Sequence, residues 1–524
     1  LRRREMELIR KAVHYTQEGK SIFDQFYLDE DYNVPEQKED VLRVVHADAE
    51  LRTEEIRPVE NYVRVTGRVY FRVLYMSASA DSHLAVLEGK LPFEEMVYAE
   101  GDGNETFFIR NARTEFTASV VHSRKLGLRI MAEMEIGRER IRDEELTLDV
   151  ESDLPIYRKM RKMNLLKLAV SKKDTYRIKE EITLPGTKES IGQMLFTDIG
   201  SRKLDIRMGQ DEIFLRGELL VFCMYLSPDE KTDWIEQSVP FEGRIPCEGA
   251  AEEMYYHIQH GLEDTLVDTR LDEDGEMRVL GIEATLNMRI NLYEEEETEI
   301  LEDMYSLEEE CVLGKEESVF EELLMQNQSK CKVTERLALP ELNEDVLQII
   351  HSRGNIQVEN EQHTDEGIKI EGILHLSFLY LRGDDTEPYG SWQGIMPFSY
   401  LIEYPDLPAG AADSLSYYVE QLAVTLAGSE AVEIKAVLAF DVFLRKRIPT
   451  EMITEVRTEP FPAENLENRP GIVGHIVQNG EDLWSLAKKY LTTVDGIMEI
   501  NGMDSENIRQ GDKLLIFKEN MSIL

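Results

Sequence analysis

GRVYFRVLYMS (67–77), GELLVFCMYLS (217–227) and GILHLSFLYLR (372–382) are three versions of one pattern, each opening on glycine and reaching tyrosine at its ninth position. In the first, Val69, Phe71, Val73 and Tyr75 share one face of a pleated strand. Leu219, Val221, Cys223 and Tyr225 do so in the second, and Leu374, Leu376, Phe378 and Tyr380 in the third. The opposite face is apolar in the second copy (Leu220, Phe222, Met224, Leu226), but Arg72 interrupts it in the first and His375 and Ser377 in the third. A strand covered on both faces belongs in the middle of a layered structure, so these segments are expected at the centre of their domains.

Further anchors keep their distance from each glycine. The glycines are 150 and 155 residues apart, and Pro-Phe follows them at 92–93, 240–241 and 397–398. Glu39, Glu189 and Glu344 precede them by 28 residues, each four residues after a proline. Ile-x-Ala recurs at Ile130/Ala132, Ile282/Ala284 and Ile434/Ala436. Four ordered anchors at near-constant spacing mean one domain repeated three times. Period-two alternation in LRIMAEMEI (128–136) and IKAVLAFDVFL (434–444), with little helical periodicity, predicts a mainly antiparallel β domain, a sandwich. If Gly217 has a backbone conformation closed to other residues, Gly217→Val should disrupt the entry to its strand.

With 103 acidic residues against 59 basic ones and a formal charge of -44, the surface repels phosphate backbones and anionic lipid. Nucleic acid and direct membrane insertion are therefore set aside as partners. Cys223, Cys247, Cys311 and Cys331 form no CxxC pair and read as core fillers in a reducing compartment. The amino end, LRRREMELIRKAV, leads into no apolar run of a signal peptide, and Met6 reads as a start, so the chain is expected not to be exported. No stretch reaches the roughly 18 apolar residues of a membrane-spanning helix.

Between Glu294 and Glu322 there are 14 acidic residues and one basic residue, Lys315, which reads as a solvated connector or helix face, or as an acidic docking strip for a basic partner. EPFPAENLENRPG (459–471) has three prolines and reads as a semi-extended tether that leaves the last module free to move. That module contains GHIVQNGEDLWSLAKKY (474–490), and its spacing predicts βααβ. Glu481 and Asp482 lead the first helix, where carboxylates suit the positive helix end. Leu483, Leu486, Ala487 and Tyr490 form one buried stripe, and a second helix starts after Thr493 with Ile497, Ile500 and Met503 facing inward. Gly511-Asp512 then turns the chain into LLIF (514–517). Trp484, one position off the stripe, reads either as a cover over the first helix or as an aromatic anchor for a partner.

The glycine-to-tyrosine strand, the Pro-Phe after it and EDMYS (302–306) resemble the SPOCS domain of endospore-forming Firmicutes. The first and third copies have DVESD (149–153) and EVRTE (455–459) in place of EDMYS. His475, Val477, Gly480, Leu483, Leu486-Ala487, Tyr490, Ile500-Asn501, Ile508, Gly511, Leu514 and Ile516 are similar to a LysM domain, which departs from the usual pattern at Asp482 and Phe517. The resemblance divides the chain into repeats at 6–163, 164–321 (with the acidic connector) and 322–458, a linker at 459–472 and a LysM domain at 473–518. Three SPOCS copies and one LysM are the architecture of clostridial spore-coat morphogenetic proteins. That implies a non-enzymatic scaffold in the mother-cell cytoplasm, at the forespore surface. Its LysM domain would dock onto the forespore coat-basement ATPase (stage IV protein A), while its repeats meet other coat proteins and self-associate. The LysM groove implied is Gly480, Glu481, Asp482, Leu483 and Trp484 on one loop and Ile508, Arg509 and Gln510 on the other. The alternative is a LysM protein that binds peptidoglycan or cortex glycan.

No catalytic residue, metal or cofactor is assigned. Glu39, Glu189 and Glu344 read as three equivalent structural positions. His257 and His260 have a helical metal spacing, but on a strand they would point to opposite faces. His46 and His351 match across copies, with Phe196 at the same place in the second, which suits the edge of a core. No Walker A loop, G-x-S-x-G elbow or HExxH occurs.

Overall fold

Alternating sequences of this kind form strands, and the computed structural model is built almost wholly of them. It describes residues 6–78, 83–101, 103–342, 346–384, 386–428, 430–461 and 471–517. The first unit comprises β1 (Met6–Glu18), β2 (Ile22–Asn33), β3 (Val41–Val59), β4 (Tyr62–Ser77), β5 (Leu84–Tyr98), β6 (Thr106–His122) and β7 (Lys125–Ser152). The second comprises β8 (Tyr157–Thr183), β9 (Gln193–Gly209), β10 (Glu212–Leu226), β11 (Thr232–Pro246), β12 (Tyr255–Leu271) and β13 (Met277–Tyr305). The third comprises β14 (Glu310–Ala338), β15 (Val346–Thr364), β16 (Gly367–Arg382), β17 (Tyr389–Glu403), β18 (Ala411–Leu426) and β19 (Ala431–Glu459).

Every unit is the same antiparallel sandwich. One layer is a meander centred on the repeated strand (β3-β4-β5, β9-β10-β11, β15-β16-β17). The other is centred on a long strand, β7, β13 or β19, of 28 or 29 residues. Val69, Phe71, Val73 and Tyr75 pack on Leu128, Ile130, Ala132 and Met134, so the Ile-x-Ala anchor is the facing layer. The same pairing of faces makes the cores of the second and third units. Each such fully buried side chain contributes about 1.5–3 kcal/mol. Glu39 and Glu189 lie outside these cores. The Tyr75 and Tyr225 hydroxyls donate to the Glu39 and Glu189 carbonyls at 3.2 Å, so backbone recurs there; Glu344 is outside the described residues.

The second face of each repeated strand is covered by the other two units. Leu74, Met224 and Leu379, equivalent by repeat, share one cluster with Val45, Leu195 and Ile350, also equivalent. The His46 and Phe196 rings lie 5.6 Å apart, and His351 stacks on Phe222 at 4.2 Å. Arg72 donates to the Thr197 carbonyl at 2.7 Å and lies over Phe196, so the apparent interruption is a contact between units. At the other end, Leu146, Ile300 and Met452 meet in a second shared cluster. The three units thus meet twice, a pseudo-three-fold arrangement of one chain. Between these clusters Arg445 is 2% exposed and donates to Thr16 O (3.0 Å), Glu321 (3.2 Å) and Ser414 (2.9 Å), tying the first unit to the third.

Three expectations change. The acidic stretch 294–322 is neither connector nor helix face: β13 runs to Tyr305 and β14 starts at Glu310. Exposed Glu295, Glu297 and Glu299 alternate with Thr298 and Ile300, which are buried, the pattern of a strand with one charged face. Positions 163/164 and 321/322 lie inside β8 and β14, and the chain leaves strand at 153–156 and 306–309. Gly217 has no positive φ; it is crowded instead, a Cβ there standing 2.7 Å from the Phe241 ring.

Candidate partner-binding site

A small βααβ module ends the described chain: β20 (Ile472–Ile476), α1 (Leu483–Tyr490), α2 (Val494–Asn501) and β21 (Lys513–Phe517). Asp482 caps α1, accepting from the Ser485 amide at 2.9 Å, while Ser485 Oγ accepts from the Asp482 amide at 3.1 Å. Thr493 caps α2 by accepting from Gly496 N at 2.9 Å. Leu483, Leu486 and Ala487 are buried with Ile497, Val477, Leu514 and Ile516, so the predicted stripe is the module's core. Ile500 is the exception, exposed rather than facing inward: Asn501 beside it bonds both Ile497 O and Leu515 O, which turns Ile500 away.

The two candidate loops rise from one base, because Val477 N donates to Asp512 O and Gly511 N to Val477 O, each at 2.9 Å. Gly480 is exposed at φ +84°. Glu481 is internally engaged: the Gln478 amide at 2.8 Å and His475 Nε2 at 2.6 Å hold its carboxyl down at about 2. Leu483 is core, and Ile508 packs partly against it. The Arg509 amide closes a turn on Asp512 at 2.8 Å, leaving the Arg509 and Gln510 side chains exposed.

Asp482 and Trp484 face the second unit. Trp484 Nε1 donates to Asp303 at 2.8 Å, Lys488 pairs with the other Asp303 oxygen at 2.6 Å, and Lys159 of β8 reaches Asp482 at 3.0 Å. Opposed by burial, the Lys488 and Trp484 contacts keep the Asp303 carboxyl below its usual range. The Tyr305 ring lies edge-on to Trp484 at 4.9 Å and stacks on Tyr157, and its hydroxyl donates to Thr492 O at 2.9 Å. The module expected to move freely is therefore seated on the tip of β8–β13; of the linker 459–472, residues 462–470 lie outside the described residues. Trp484 fits the first reading, covering α1, and it packs on this chain's own second unit instead of standing open to a partner. Sequence reasoning missed Tyr157, Lys159, Asp303 and Tyr305 as a seat. The signal was EDMYS itself, since Ser152 and Thr458 stand at the Tyr305 position in the other copies.

His257 is buried and His260 partly so on β12, and burial draws both down to about 4. Among the described residues Glu361, His363 and Asp413 place ligand-type atoms within 4.8 Å of one another, with His363 bonded to Asp413 at 2.8 Å.

Family models match this chain in four places. The model described as SipL, SPOCS domain, matches residues 40–116, 190–269 and 345–427, and the LysM domain model matches 475–517. Comparisons with curated proteins and with solved structures return no match. No helix among the described residues is long and apolar enough to cross a membrane.

Proposed function

Because this chain is built of three SPOCS domains followed by a LysM domain, we propose that it is a non-enzymatic scaffold of the developing spore coat. It works in the mother-cell cytoplasm at the forespore surface. The LysM domain captures the forespore coat-basement ATPase, and the SPOCS units carry other coat proteins. The observation that supports this reading is the domain order, which joins a binding module to a large β platform. The exposed Gly480, Arg509 and Gln510 at the mouth of the two loops are the side of the module left open to a partner. Glycan capture by the same loops is the competing reading.

The full-length chain separates them in one titration against the purified ATPase and against soluble muropeptides. ATPase capture is expected, with Arg509→Ala plus Gln510→Ala weakening it by about 1–2 kcal/mol. Muropeptide binding without ATPase capture would reverse the assignment.

A further inference from the structure

A cleft of about 510 Å³ between the second and third units is lined by Arg202 and Lys203 of β9, Lys332 of β14 and Lys435 of β19. Glu218 is the one acidic side chain on its wall among the described residues. That inverts the composition of a chain with 103 acidic residues against 59 basic ones. Glu218 holds Lys203 at 3.1 Å and Glu433 holds Lys435 at 2.7 Å. Arg202 and Lys332 have no side-chain hydrogen bond or ion pair among the described residues. Burial draws the Arg202 guanidinium below its usual range, and the charges of Glu236, Asp198 and Glu218 only partly offset it. With two of the four cations already held by carboxylates, Arg202 and Lys332 are the pair left to attract an anionic group from outside.

The opposite charge stands at the far end of the same ladder. Glu310, Glu316 and Glu317 of β14 and Glu451, Glu455 and Glu459 of β19 are all exposed there, with Lys315 and Arg457 the basic residues among them. Glu317 faces Glu451 and Glu310 faces Glu459 across the strand pair; Lys315 reaches Glu451 at 3.9 Å, while the other like charges there cost stability. From Glu317 to Lys332 the strand rises about 50 Å. Two complementary poles on one continuous ladder cannot meet within a molecule.

We infer that the acidic pole of one chain docks into the basic cleft of a second copy, head to tail. Such a contact is heterologous: each chain keeps one pole free, so association continues into an open array instead of closing as a dimer. It needs no LysM partner, and failure of the ATPase reading would leave it standing.

Sedimentation velocity of the full chain tests it. At low salt the species should grow with concentration, and at high salt they should return to monomer. Lys332→Glu with Lys435→Glu, and separately Glu316→Lys with Glu317→Lys, should each weaken association about tenfold or more. All four positions are exposed, and unchanged thermal melting checks that the variants fold. Mixing the two double variants should restore association, because each presents the charge that the other lost. Wild-type chain that stays monomeric at low salt, variants that associate like wild type, or a mixture no larger than its parts would each overturn the inference.

Discussion

Gly67, Gly217 and Gly372 sit in extended strands, and each is glycine because of its neighbour across the ladder. Phe93, Phe241 and Phe398 are their cross-strand partners, and each ring lies over its glycine. The Pro-Phe anchor is therefore the lid on the glycine, a pairing in which an aromatic ring covers the backbone that a missing side chain exposes. The three sites differ in what else crowds them. A Cβ at Gly67 would stand 2.1 Å from the Arg52 carbonyl oxygen, whereas at Gly217 the nearest backbone atom is 3.4 Å away. A ring can rotate; a paired carbonyl cannot. Gly67→Ala should lower stability by about 2–3 kcal/mol and Gly217→Ala by about 1 kcal/mol, read from denaturant unfolding. Equal costs at the two sites would remove backbone crowding as the cause. The recurrence of these residues was legible in the chain; their contact was not, because register depends on the turn between the two strands, about ten residues from either.

The long strands explain how a LysM module comes to have a fixed seat. β8 and β13 outrun their sandwich and end side by side at Tyr157 and Tyr305, offering two stacked rings and the Asp303 carboxylate to α1. Asp303 receives both Trp484 and Lys488, so Asp303→Ala should release the module at a cost of about 1–3 kcal/mol. Hydrogen exchange would register this as lost protection in α1, with the three sandwiches unchanged. Protection that persists in α1 would mean that apolar contact alone holds the seat. The α1 stripe and both helix caps could be read directly, since cap and stripe are local. The strand character of 294–322 was also present as alternation of Glu297, Glu299 and buried Ile300, but the charge count obscured the period. Nothing local showed that Trp484 would turn toward its own second unit.

Packing three units about shared cores makes the whole molecule sensitive to acid. Burial draws His46, His257 and His260 down to about 4 from an ordinary 6.5, so the folded chain holds them neutral while the unfolded chain protonates. Stability should therefore fall as pH drops from about 6.5 to about 4, by up to about 2–3 kcal/mol for each such group. His351 has the opposite sign. Burial resists its charge, but hydrogen bonds to Asp198 and Glu236 raise its pKa, so its contribution is present below 6.5 and fades as pH rises. His46→Phe, the residue that the second unit carries as Phe196, should flatten the acid limb; an unchanged limb would exonerate His46. By itself the sequence determined that there are three copies, that each is a sandwich with a known inward face, and that a βααβ module follows, because periodicity and capping are properties of neighbours along the chain. Only the tertiary structure decided that the second faces of the three strands pack on one another and that the module sits on the second unit. Those contacts join residues more than a hundred positions apart, and no local pattern encodes which distant surface will cover an apolar face.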